Sequence, residues 1–81
     1  MRDFPKLNDT QVALLRSEVQ TGIVLDENFK YATNDSQIVY SVFESLEAAL
    51  LFANKIISDS QLYECTLLNK DKGLIKYLSP I

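Results

Sequence analysis

The sequence predicts an α+β protein: a two-layer sandwich in which a mixed or antiparallel sheet of about four strands carries two helices on one face, in the order α-β-β-α-β-β. Three observations carry this expectation. Residues 45–58 (SLEAALLFANKIIS) place apolar side chains at helical spacing. Residues 38–43 (IVYSVF) form a β-branched and aromatic run. Residues 61–78 (QLYECTLLNKDKGLIKYL) read as two strands joined by a turn rich in Asn, Asp and Gly. All 81 residues form a single domain, and residues 1–7 read as a tail in which Phe4-Pro5 favours an extended chain.

A first helix is expected over residues 9–21. Asn8 or Asp9 supplies a cap, and Gln11 stands three residues after Asn8, the spacing of a capping box. Val12, Leu15 and Val19 share one helical face; Arg16, Ser17 and Gln20 turn away, and Gly22 ends the helix. Ile23-Val24-Leu25 is a short β-type run followed by the turn Asp26-Glu27-Asn28, with residues 29–33 a candidate second short strand and Asn34-Asp35-Ser36 another turn. The strand over residues 38–43 is apolar on both faces, which predicts a central position in the sheet.

Ser45 is the expected N-cap of the main helix, with Glu44 and Glu47 near the positive end of its dipole. Leu46, Ala49, Leu50, Ala53, Ile56 and Ile57 make its apolar side, and the two alanines let it lie close to a sheet. Leu51 and Phe52 are surplus to that side. In the hairpin, a five-residue loop pairs Leu67 with Ile75, Thr66 with Lys76 and Cys65 with Tyr77. Tyr63, Cys65, Leu67, Ile75 and Tyr77 then share the core face. The outer face carries Leu62, Glu64, Thr66, Leu68, Leu74, Lys76 and Leu78, with Glu64 diagonal to Lys76 as a cross-strand ion pair.

Chemistry is scarce in this chain. It has no histidine and one cysteine, so a Ser-His or Cys-His nucleophile is ruled out, an internal disulfide is impossible, and the commonest zinc ligand is missing. Cys65, on an inward strand position, reads as a small buried hydrophobe. The glycines, Gly22 and Gly73, are too far apart for a phosphate-cradling loop. Asp26-Glu27-Asn28 opens like a calcium loop, but Lys30 stands at the fifth position and Gln37 at the twelfth. No catalytic residue, cofactor or metal is therefore expected, and the chain is not read as an enzyme.

The eight basic residues are scattered and the net charge is −3, which disfavours nucleic acid and anionic membranes as partners. No apolar run approaches the ~20 residues needed to span a bilayer, and the N-terminus lacks the pattern of a signal peptide, so a cytoplasmic location is expected. A chain of this length hides only about 60 to 65% of its unfolded surface, and a single core of that size supplies roughly 3 to 5 kcal/mol. Association with itself or another protein is the remaining way to add to it, and an ordinary stable monomer is the alternative. The expected function is a small acidic, non-catalytic protein-interaction module, an adaptor, regulator or inhibitor, binding a protein partner or a second copy through Leu62, Glu64, Thr66, Leu68, Leu74, Lys76 and Leu78, with Leu51 and Phe52 as further contacts. The competing expectation is a small-molecule binder whose apolar pocket is lined by tyrosines.

Overall fold

The computed structural model describes residues 3–80. In order, the elements are β1 (Val12–Glu18), β2 (Val24–Leu25), β3 (Tyr40–Phe43), α1 (Leu46–Asp59), β4 (Tyr63–Leu68) and β5 (Leu74–Leu78). The protein is α+β, with a five-stranded sheet in which every neighbouring pair is antiparallel and one helix packs on one face.

The strand at the centre is β1, not the one at residues 38–43. Along one side it pairs with β4, from Ala13 opposite Leu68 to Glu18 opposite Tyr63. Its other side is shared: Val12 to Leu15 pair with β3, and Arg16 and Ser17 pair with β2. Strands β3 and β4 therefore run in the same direction on either side of β1, and α1 joins them by crossing over it. The run Val12-Ala13-Leu14-Leu15 is hidden on both faces, Val12, Ala13 and Leu14 completely or nearly so. Such a strand has no apolar–polar alternation to reveal it.

The expected helix at residues 9–21 is thus a correction, and its capping residues explain the misreading. The Asn8 amide donates to Gln11 Oε1 (3.0 Å), while Asn8 Oδ1 accepts from the amides of Thr10 and Gln11 (3.0 Å each). These are capping-box hydrogen bonds, made here by a turn that leads into a strand. Gly22, with φ +72°, turns the chain from β1 into β2; its amide bonds the Glu18 carbonyl at 2.8 Å.

Ser45 caps α1 as the sequence indicates, its Oγ accepting from the Ala48 amide at 3.1 Å. Ala49 and Ala53 have no exposed surface, which lets the helix sit directly on Val12, Leu14, Cys65, Leu67 and Leu78. The hairpin register holds at the loop, where Leu68 faces Leu74, and then slips. A β-bulge leaves Ile75 unmatched, so Leu67 faces Lys76, Thr66 faces Tyr77 and Cys65 faces Leu78. Tyr77 accordingly moves to the outer face, and Leu78 replaces it in the core.

Candidate functional site

Residues paired across an antiparallel ladder share a face, which sorts the expected contact residues. Leu62, Glu64, Thr66 and Leu68 follow the alternation of β4 on the face away from α1, and Leu74 joins them opposite Leu68. Lys76 and Leu78 do not. The bulge turns both toward the helix side, where Leu78 is buried in the core and Lys76 is exposed at the sheet edge. The expected Glu64–Lys76 pair is corrected for the same reason. Glu64 accepts instead from the Tyr77 hydroxyl (2.8 Å) and the Ser17 hydroxyl (3.2 Å). That bond to a carboxylate raises the Tyr77 phenol above its ordinary pKa.

Leu51 and Phe52 lie on α1, in the other layer of the molecule. Leu51 is 76% exposed, while Phe52 packs against Phe43 at 5.2 Å between ring centres. The nine residues therefore do not form one patch. Part of the outer face is also occupied by the chain itself. Phe4 sits edge-on to Tyr40 (5.2 Å), Lys72 Nζ lies 5.8 Å from the centre of the Phe4 ring, and Lys70 pairs with Asp9. Leu62 and Val42 stay exposed on this face, as does the flank formed by β5, where Leu74 is 65% and Tyr77 50% exposed.

A second candidate lies on the helix side. A cleft of about 340 Å³ separates α1 from the turn after β2 and is lined by Phe29, Phe52, Lys55, Ile56, Asp59 and Tyr63. Its Phe29 wall is set by a tightly bonded turn. Asp26 Oδ1 accepts from the amides of Asn28 (2.8 Å) and Lys30 (3.0 Å), and Gln37 Nε2 donates to Asp26 Oδ2 (2.7 Å) and to the Tyr31 carbonyl (2.9 Å). The Gln37 hydrogen bond first, then those backbone amides, hold the Asp26 carboxyl below the usual aspartate range. This clamp keeps Phe29 at φ 62°, an uncommon backbone for a bulky residue, with its ring 4.7 Å from that of Tyr63.

Behind Phe29 lies Arg16, whose sequence position suggested an exposed side chain. It is 1% exposed, and its Cζ is 5.6 Å from the centre of the Phe29 ring. Nη2 donates to the Ser41 hydroxyl, whereas Nε and Nη1 have no hydrogen-bond partner among the described residues. Nothing in the sequence singles Arg16 out except its even spacing from Val12 and Leu14, which becomes informative only once β1 is known to be a strand.

No protein-family model, curated protein or solved structure matches this chain. Its chemistry is therefore argued from its own atoms. Cys65 has no exposed surface, and burial pushes its thiol up to about 11, so it is protonated at neutral pH. Among the described residues no group of three or more His, Cys, Asp or Glu could hold a metal ion, and no helix is long and apolar enough to cross a membrane.

Proposed function

We propose that this chain is a small non-catalytic protein-interaction module that associates with a second copy of itself through the open edge of β5. One observation carries the reading: among the described residues β5 pairs with β4 alone, and four of its five residues are exposed, Leu74, Ile75 and Tyr77 among them. A bare edge strand presents a row of free N–H and C=O groups, and proteins usually guard such a row with charge, proline or cover. Here Lys76 is the only charge along β5.

An edge strand laid antiparallel against its own copy is self-complementary under a two-fold axis. An axis at Tyr77 sets Lys76 opposite Leu78 on the same face and keeps the two Lys76 ammoniums from standing directly opposite each other. Leu68, Thr66 and Glu64 then continue the outer face on each side of the seam, and Leu62 closes its far end. Leu51 and Phe52 lie outside this contact. Association would add to a core that is small for a free-standing domain, and a reducing, cytoplasmic setting suits a chain with a single cysteine.

The test is molar mass by light scattering from about 10 μM to about 1 mM, because a strand-edge contact of this size is expected to be weak. The wild-type mass should rise toward that of two chains, and Leu74→Lys should hold it at one while leaving the fold intact, since Leu74 is largely exposed. A single-chain mass at about 1 mM, or undiminished association of Leu74→Lys, contradicts the proposal.

A further inference from the structure

Arg16 is a buried cation that association through β5 leaves unexplained. Burial disfavours its charge, and Cys65, Glu27 and Asp26 act on it only through space. Asp26 is engaged elsewhere, both of its carboxylate oxygens being taken by Asn28, Lys30 and Gln37. A guanidinium keeps its proton under these conditions, so the protein holds a permanent positive charge, almost fully buried, with two nitrogens unbonded. Buried polar groups are nearly always satisfied, and one that is not calls for a specific explanation.

Phe29 connects this charge to the cleft. Its ring covers the guanidinium and lines the cleft between α1 and the 26–31 turn. It does so from a left-handed backbone, a conformation that collects at ligand clamps and persists only where the surroundings impose it, as the Asp26–Gln37 clamp does here. The cleft walls are otherwise apolar and aromatic, and the two charges at its margin, Lys55 and Asp59, have opposite signs. Any preference for an anion must therefore come from Arg16. The volume falls at the lower end of the range of small-molecule pockets.

We propose that this cleft binds a small amphiphilic anion, a monocarboxylate with an apolar chain, whose tail lies against Phe52, Ile56 and Tyr63 and whose carboxylate accepts hydrogen bonds from Arg16 when the Phe29 ring swings aside. The carboxylate supplies the missing acceptor at Nη1 or Nε. Rotation of Phe29 replaces a cation–ring contact by a charge-assisted hydrogen bond, the stronger of the two interactions.

The experiment titrates the isotope-labelled full chain with sodium decanoate below its micelle concentration, and in parallel with decan-1-ol. Decanoate should bind saturably, at least about tenfold tighter than the alcohol, the ratio expected of one charge-assisted hydrogen bond, and should shift the Arg16 Nε–H resonance together with Phe29 and Tyr63. Phe29→Gly, which uncovers the guanidinium, should bind decanoate more tightly than the wild type. Arg16→Met should bind both probes alike. Failure of decanoate to bind the wild type overturns the proposal. So does equal binding of decanoate and decanol, or binding that leaves the Arg16 Nε–H resonance unmoved. These readouts need no variant to fold.

Discussion

Replacing Arg16 by methionine should make the protein more stable. The wild type buries two guanidinium nitrogens without partners, and each unmade bond of this kind costs about 1–3 kcal/mol. The substitution removes both penalties. Against that gain stand the charged hydrogen bond to Ser41, about 1.5–3 kcal/mol, and the contact with the Phe29 ring, about 0.5–2 kcal/mol. Met is unbranched and adapts to the space left between Leu25, Cys65 and Phe29. At mid-range the balance favours the variant by about 0.5 kcal/mol, in line with buried ions giving way to apolar side chains of similar volume at no cost or with a gain. For a chain of this size that corresponds to a rise in Tm of about 2–4 °C. Thermal and urea unfolding followed by circular dichroism measure it. A loss of more than about 1 kcal/mol would refute the reasoning, because it would mean that the guanidinium is well satisfied in the folded protein. A stabilised Arg16→Met would also mark Arg16 as a residue whose presence stability alone does not explain.

Three other outcomes follow from the geometry. The Asp26 carboxyl is held below its ordinary pKa by Gln37 and the turn amides, so its contribution is present above about pH 4 and lost as pH falls through the folded-state value; the wild type should lose stability more steeply than Asp26→Asn below about pH 4, and parallel curves would contradict this. The Cys65 thiol, buried and with a pKa pushed up to about 11, should resist an aromatic disulfide reagent at pH 8 until the protein unfolds; rapid labelling of the native state would contradict its placement. Ser45→Ala removes the cap on the Ala48 amide and should cost about 1 kcal/mol, lowering Tm by about 4–8 °C, whereas an unchanged Tm would show that water replaces the cap at no loss.

The main helix was legible because its signals are local and agree with one another. Ser45, Glu47 and the spacing of Ala49, Ala53 and Ile56 all say helix, and α1 ends at Asp59, within a residue of the expected stop. The first element was illegible because its signals are local and misleading. Asn8 and Gln11 make the bonds of a helix cap, while the strand that follows is buried on both faces by partners that lie as many as 55 residues further along the sequence, at the Ala13–Leu68 pair. The run at residues 38–43 looked central for the converse reason. Tyr40 packs against Phe4 on one face and Phe43 against Phe52 on the other, while Ile38 and Val42 stay exposed and no second neighbouring strand lies alongside among the described residues.

In the hairpin the loop was legible and the register beyond it was not. Asn69 organises the turn, its Oδ1 accepting from the amides of Asp71 (2.9 Å) and Gly73 (2.8 Å). The bulge at Ile75 leaves no mark in the sequence, yet it moves Lys76 and Leu78 out of the expected contact face and brings Tyr77 into it. Arg16 shows the same dependence on topology. An arginine after four apolar residues is ordinary at the end of a helix face, and becomes a buried charge only when β1 is flanked by β2, β3 and β4 and its inward face is closed by Phe29.

Amide hydrogen exchange along β5, compared at about 10 μM and about 1 mM protein, tests the proposed edge pairing most directly. Pairing through this strand predicts that amides within β5 that have no partner on β4 exchange more slowly at the higher concentration, and that the difference vanishes in Leu74→Lys. Exchange rates in β5 that do not change with concentration, while the mass stays that of one chain, would contradict it.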